Sequence, residues 1–107
     1  MSKVDVVNQI GDVLTQIDTI LADPDFSPTS PNWHQLFALR KHLDDQQREL
    51  VQEIFADDTP QFNAIAKQLS DAADSLEKVS DSINKIGTIL KTVSSIAALV
   101  DKILLLV

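Results

Sequence analysis

Apolar residues in the first part of the chain recur at the spacing of an α-helix. Between Lys3 and Ala22 they lie three or four positions apart, which places them on one side of a helix, and a second row, seven positions apart, widens that side. The main row is Val7, Ile10, Leu14, Ile17 and Leu21, and the second row is Val6, Val13 and Ile20. Pro24 disfavours helical geometry at the residue before it. The pattern therefore predicts a first helix over about residues 3–22.

A linker over residues 23–30 contains two prolines and precedes the next apolar pattern. Proline restricts the backbone, so we expect an ordered, extended connection. Ser30 followed by Pro31 is typical of a helix start, because the serine hydroxyl can cap the first turn and proline is tolerated at the first helical position. The apolar positions that follow predict a second helix over about residues 31–56.

Two glutamines interrupt the apolar pattern of this second helix. Gln46 and Gln47 stand between Leu43 and Leu50, where the helical period requires an apolar residue. A polar residue at a packing position can set the register between two helices. We therefore expect this turn to be solvated or hydrogen-bonded to a partner, with Gln46 and Gln47 as a register-setting polar layer.

The C-terminal part of the chain carries the most regular pattern, because apolar residues occupy the a and d positions of a heptad without a slip in register. The a positions are Phe62, Leu69, Leu76, Ile83, Leu90, Ala97 and Leu104, and the d positions are Ile65, Ala72, Val79, Ile86, Val93, Val100 and Val107. Such a run is typical of a long helix in coiled-coil-like packing. It predicts a third helix over about residues 60–106. Gly87 marks the place where this helix can break, since glycine costs about 1 kcal/mol relative to alanine in a helix.

The length of this third helix limits what can cover it. At about 1.5 Å per residue an unbroken helix is roughly 70 Å long, against roughly 30 and 39 Å for the first two. Three arrangements remain: a break near Gly87 that makes a bundle of four helices, a long hairpin with the first two helices in line against the third, or a C-terminal half covered by a second chain. The predicted fold is all-α, an antiparallel bundle of three to four helices in one domain over residues 1–107.

The apolar face of the third helix widens after Lys85, which indicates burial on more than one side. A third row at positions 89, 96 and 103 joins the heptad positions there. The first helix has a similarly wide face and a similar length, so we expect it to pack against residues 87–107. We further predict an interface for self-association or for a partner helix, formed by Ile89, Val93, Ile96, Val100 and Ile103.

Composition narrows the chemistry that the chain can support. Without cysteine it has no disulfide, no thiolate metal site and no cysteine nucleophile, and its two glycines are too far apart for a phosphate-binding loop. His42 and Asp45 are the only pair at metal-ligand spacing, and they are better explained as surface residues. The acidic residues late in the second helix are typical of a solvated face. We predict no catalytic residue, no metal, no cofactor and no enzymatic activity.

Charge and hydropathy indicate which kinds of partner the protein can bind. A net charge of −7 repels phosphate backbones, so we predict no nucleic-acid partner. The residues after Met1 lack the apolar run of a signal peptide, and we expect a cytoplasmic protein. The apolar run over residues 92–100 is shorter than the roughly 20 residues of a spanning helix. The sequence therefore predicts a helical protein–protein interaction or assembly protein. The alternative is a membrane-active helical protein, such as a toxin or pore component, that inserts its C-terminal segment.

Overall fold

The computed structural model describes residues 1–106, and within them the chain forms four α-helices and no strand. A short 3₁₀ turn at Ile83–Lys85 leads into the last helix. The all-α prediction is confirmed. The helices are α1 (Lys3–Leu21), α2 (Pro31–Gln52), α3 (Pro60–Val79) and α4 (Ile86–Leu104).

Local sequence explains where the first three helices begin. The Ser2 hydroxyl accepts the Asp5 backbone N–H at 3.2 Å while the Asp5 carboxylate accepts the Ser2 N–H at 2.8 Å, which is a capping box. Helices α2 and α3 begin alike, with a capping hydroxyl directly before proline. Ser30 Oγ accepts the N–H of the third helical residue at 3.2 Å, and Thr59 Oγ1 does the same at 3.2 Å. These starts were predictable because every group involved lies within four residues.

The helices form a bundle in which each one has two close neighbours. Helix α1 packs against α2 and α3, and α4 packs against α3 and α2. The hairpin α1–α2 and the hairpin α3–α4 therefore lie side by side, with α1 and α4 diagonally opposite. The expectation that α1 packs beside the C-terminal segment is wrong. The wide apolar faces of both helices point to the bundle axis. Each helix buries its face between its own two neighbours.

Side-chain contacts fix the direction of the helices. Lys3 Nζ donates to the carbonyl of Val51 at 3.0 Å, and Trp33 Nε1 donates to the carbonyl of Leu21 at 3.0 Å, so α1 and α2 are antiparallel. Helices α1 and α3 are parallel, because both begin near the Lys3 end. We call this end of the bundle, where α1 and α3 begin and α2 and α4 end, the N-end.

The predicted third helix is two helices joined by a reversal of the chain. The break spans residues 80–85 and precedes Gly87, which lies in the first turn of α4 with ordinary helical geometry and open space beside its Cα. Ser80, Asp81 and Ser82 are residue types that favour turns over helix, and Ser80 Oγ donates to the carbonyl of Glu77 at 3.0 Å. Ser82 is extended, at φ −139° and ψ 120°. The bundle is 42 Å long, well short of an unbroken third helix.

The core rows explain why the heptad pattern was misleading. The buried rows of α3 and α4 have the same four–three spacing, but the α4 row starts one position earlier than the heptad predicts. Leu90 and Ala97, the continued a positions, lie at the flank of the core with 8% and 6% exposure. The unbroken register therefore spans a turn and does not form one continuous seam. The α3 row is Phe62, Ala66, Leu69, Ala73 and Leu76, and the α4 row is Ile89, Val93, Ile96, Val100 and Ile103.

Helix α2 ends at Gln52, four residues before its predicted end. The cause lies in α1, because Lys3 Nζ donates to the carbonyls of Val51 at 3.0 Å and Glu53 at 2.6 Å. The Lys3 backbone N–H also donates to Asp57 Oδ2 at 2.8 Å. These bonds satisfy carbonyls that a longer helix would use, and they hold residues 53–57 against the start of α1.

Candidate functional site

The five residues predicted to form an intermolecular interface belong to the core of the single chain. Each has 0% of its surface exposed. They lie on the side of α4 that faces the bundle axis, between the neighbouring helices α3 and α2. The proposed interface at Ile89, Val93, Ile96, Val100 and Ile103 is therefore corrected: these side chains complete the monomer core, and any partner of the folded chain must bind elsewhere.

Gln46 is a buried polar residue that joins the two hairpins. Its side chain is 3% exposed, and Nε2 donates to the carbonyl of Ala97 at 3.0 Å and to Asp101 Oδ1 at 2.6 Å. Its Oε1 is buried without a hydrogen-bond partner among the described residues. Gln46 thus fixes the position of α2 along α4, at the cost of one unsatisfied acceptor.

Gln47 makes the corresponding contact with α1. Its Nε2 donates to the carbonyl of Val7 at 3.0 Å. Gly11 lies one turn further along α1, where a Cβ would stand 3.4 Å from the same nitrogen. At the same level Gln9 Nε2 donates to Ser70 Oγ of α3 at 3.1 Å. The two predicted glutamines therefore contact neighbouring helices of their own chain, in a layer that reaches all four helices.

Most of the large apolar side chains that face solvent gather at the N-end. Of the six strongly exposed ones among residues 1–106, five lie there, which is more than the scattered exposure normal for a soluble surface. Ile54 is 92% exposed, directly after the end of α2. The five are Met1 (52%), Val4 (64%), Val51 (55%), Ile54 (92%) and Leu105 (82%).

Four of these residues form what we call the N-end patch: Met1, Val4, Val51 and Ile54. The bonds Lys3 Nζ to Val51 O and Gln47 Nε2 to Val7 O set the two helices so that Val4 and Val51 lie at one level on the outer side of α1–α2. A shallow groove of about 210 Å³ adjoins them on α2. Its lining residues are Gln47, Arg48, Val51 and Gln52.

The charges around the N-end patch are mostly negative. The two bases nearby are engaged: Lys3 Nζ binds two carbonyls and lies 5.7 Å from the centre of the Phe55 ring, and Arg48 pairs with Asp44 one turn earlier. A hydrogen bond from the Ser2 backbone N–H holds the pKa of the Asp5 carboxyl below its usual value. The acidic side chains next to the patch in sequence are Asp5, Glu53, Asp57 and Asp58.

The sixth exposed apolar residue, Phe37, lies at the other end of α2. Its ring stacks on Trp33 with 5.3 Å between ring centres and an interplanar angle of 9°. Trp33 is anchored by its bond to the Leu21 carbonyl. Phe37 is 48% exposed and has no exposed large apolar neighbour beyond this stack in residues 1–106. It therefore serves as a matched control for the N-end patch.

Two further features of the structure concern metal binding and membrane crossing. In the described part of the chain no group of three or more histidine or acidic side chains is arranged to hold a metal ion, and His42 and Asp45 are both exposed surface residues. The segment Ile83–Leu104 is long and apolar enough to cross a membrane, judged by its length and composition alone. Core helices of soluble proteins meet the same criterion.

Comparisons with protein-family models, with curated proteins and with solved structures found no match to this chain. The site must therefore be interpreted from its own residues. Sequence reasoning missed the N-end patch because it predicted a second helix to residue 56, which would contain both Val51 and Ile54. One signal was available: Val4 lies outside both apolar rows of α1, so its side chain had no place in the predicted core.

Proposed function

We propose that the protein is a non-enzymatic interaction protein, and that its partner, either a second copy or another protein, binds at the N-end patch. The observation that carries the proposal is Ile54, which is 92% exposed at the same end of the bundle as the half-exposed side chains of Val4 and Val51. Exposed apolar surface is unfavourable by about 25 cal/mol per Å² relative to burial. A contiguous group of such residues is typical of an interaction site.

The rigidity of the patch supports the same proposal. Residues 53–57 would be a loose connection, but Lys3 holds them through bonds to the carbonyls of Val51 and Glu53 and to the carboxylate of Asp57. Phe55 turns inward and packs against Phe62 with 5.7 Å between ring centres. A surface held in place before binding loses less conformational entropy when a partner arrives. The loop therefore presents Ile54 outward on a fixed support.

The proposal is tested by site-specific photo-crosslinking in the cell that produces the protein. A benzophenone amino acid replaces Ile54, and the adducts formed on irradiation are identified by mass spectrometry. We expect one discrete adduct, with a second copy of the chain or with another protein, because the patch is a contact surface.

Ser95 is the control position, since it is exposed on the outer side of α4, away from the patch. The same photo-reactive residue placed there should give no such adduct. If position 54 yields only unmodified protein, or the same adducts as position 95, the patch is not an interaction site and the proposal is wrong.

The membrane-active alternative is favoured by one observation, the length and hydropathy of Ile83–Leu104. Insertion would require α4 to leave the bundle, because its most apolar row is fully buried there. The test is co-sedimentation with neutral and anionic vesicles, combined with far-UV circular dichroism. Binding that depends on an exposed α4 would support the alternative, whereas protein that stays in the supernatant with both vesicles would remove it.

A further inference from the structure

The charge of the molecule identifies the kind of partner that suits the N-end patch; this inference rests on the proposed function. Residues 1–59 contain eleven acidic and four basic side chains, whereas residues 60–107 contain five of each. The whole net charge of −7 therefore belongs to the α1–α2 hairpin and its linkers. The patch lies on this hairpin.

The four basic residues of this half of the chain leave seven acidic charges unbalanced. Arg48 pairs with Asp44 and Arg40 is joined to Asp18 at 2.9 Å, while Lys3 is bound to two carbonyls and Lys41 is exposed on α2. The acids next to the patch include Asp58, which forms no ion pair in residues 1–106. A partner thus meets an apolar centre with a negative rim.

A second copy is a poor occupant of such a surface. A two-fold dimer would bring the same patch of both copies together, so each negative rim would face another negative rim. Like charges juxtaposed across an interface oppose association. An anionic lipid surface is disfavoured for the same reason. Charge complementarity therefore requires a positively charged partner.

We infer that the N-end patch binds a basic amphipathic helix of another protein, with its apolar face on Val4, Val51 and Ile54 and its lysine or arginine side chains opposite the acidic rim. The shallow groove along α2 beside the patch suits a helix, because Val51 lines it and the exposed side chains of Val4 and Ile54 lie at the same end of the bundle. Attraction between the charged rims would orient the partner and speed its encounter.

The test uses two synthetic helical peptides of about five turns with the same leucine positions, one with lysine and one with glutamate at all polar positions. Binding to the purified full chain is measured by fluorescence anisotropy of the labelled peptides and mapped by backbone amide shifts. We expect the leucine–lysine peptide to bind about tenfold or more tightly than the leucine–glutamate peptide, with shifts at Val4, Val51 and Ile54. Its affinity should fall severalfold as salt rises from roughly 0.05 to 0.5 M.

Matched variants separate the patch from general attraction to an acidic protein. The pair Val51→Ser and Ile54→Ser keeps the charge, and should weaken binding of the leucine–lysine peptide about tenfold, while Phe37→Ser leaves it unchanged. The pair Glu53→Gln and Asp58→Asn should weaken it severalfold. The remote pair Asp71→Asn and Asp74→Asn removes the same charge from the outer side of α3 and should change it less than about twofold.

Several outcomes would overturn the inference. Equal binding of both peptides, shifts outside the patch, or equal effects of the two charge-removing pairs would each show that partner charge at the patch does not decide recognition. Concentration-dependent dimers that Val51→Ser and Ile54→Ser abolish would show a second copy as the occupant. In that case the proposed function stands and the basic partner is wrong, whereas failure of the crosslinking at position 54 removes both.

Discussion

The two hairpins of the bundle are held together by different means. Between α1 and α2, polar side chains bridge the helices at several levels: Lys3, Gln47, Arg40 and Trp33 each bond to the opposite helix or its end. Between α3 and α4 the described residues make no side-chain hydrogen bond or ion pair, and the helices pack through apolar and small side chains. The first hairpin is specified by directional bonds and the second by shape.

This difference explains why the second hairpin is closely packed and was harder to predict. Ala66 and Ala73 on α3 and Ala97 on α4 are buried with 8% exposure or less, and such small side chains let helices approach. Shape complementarity leaves no marker at a particular residue, however. The directional contacts of the first hairpin involve polar residues that stand out in an apolar pattern, as Gln47 does.

The largest effect on stability is expected in the α3–α4 hairpin, which is held together by apolar packing. Ile96→Ala removes a side chain with no exposed surface and should lower the free energy of unfolding by about 2–5 kcal/mol, because it leaves a cavity in a tightly packed core. Chemical denaturation of both proteins measures the difference. Leu105→Ala, at a residue that is 82% exposed, is the control and should change stability by less than about 0.5 kcal/mol. Equal effects would mean that α4 is not packed as described.

The same variant addresses the original interface prediction. Ile96 was expected to face another chain, and then its truncation would weaken association more than folding. Sedimentation equilibrium of the folded variant decides between these roles. We expect its molecular mass to match that of the parent protein, because in the structure the chain covers Ile96 by itself.

The next largest effect on stability is expected at Gln46, whose side chain bonds one hairpin to the other. Gln46→Ala should cost about 1–3 kcal/mol, since it removes buried side-chain volume and the side-chain donor to the Ala97 carbonyl and the Asp101 carboxylate. Gln46→Met fills the same space and should cost less than about 1 kcal/mol, because it also removes the unpaired Oε1. Thermal unfolding of both variants tests this order. A methionine variant less stable than the alanine variant would show that the polar layer matters more than its volume.

A structural feature could be predicted from the sequence when the residues that cause it lie close to it along the chain. The starts of α2 and α3 follow from Ser30–Pro31 and Thr59–Pro60, and the helical class follows from the apolar spacing. The end of α2 could not be predicted, because Lys3 imposes it from 48 residues away along the chain. The exposure of Ile54 is a consequence of that early end. Apart from Val4, the candidate site therefore left no signal in a pattern that assigns each helix by itself.

The break between α3 and α4 could be predicted only in part from the sequence. The cluster Ser80, Asp81 and Ser82 was a turn signal, but the heptad positions on both sides of it stayed in register and Gly87 was the more conspicuous helix breaker. Gly87 nevertheless has helical geometry with nothing within 4 Å of an added Cβ. The reversal therefore lies before Gly87, over residues 80–85, where Ser80 Oγ donates to the carbonyl of Glu77 at 3.0 Å.

A smaller effect on stability is expected when the single glycine of each hairpin is replaced by alanine. Gly87→Ala should stabilise the protein by about 0.5–1 kcal/mol, because alanine is the better helix former and its methyl group meets open space. Gly11→Ala should gain less, since its Cβ would lie 3.4 Å from the Gln47 Nε2 that binds α1. Denaturation midpoints of the two variants test the difference. A loss of stability in Gly87→Ala would instead make this glycine a required hinge.

The smallest expected effect is at the ion pair on the surface of the first hairpin. Arg40 Nε and Nη2 donate to the two carboxylate oxygens of Asp18 at 2.9 and 3.2 Å, and this contact raises the pKa of Arg40. Both side chains are partly exposed, so solvent screens the pair, and Arg40→Ala should cost no more than about 1 kcal/mol. The cost should shrink further in high salt. A double-mutant cycle with Asp18→Ala isolates the pair. A coupling energy near zero at low salt would mean that the first hairpin is specified by its buried contacts alone, with Gln47 and Trp33 sufficient to align α1 and α2.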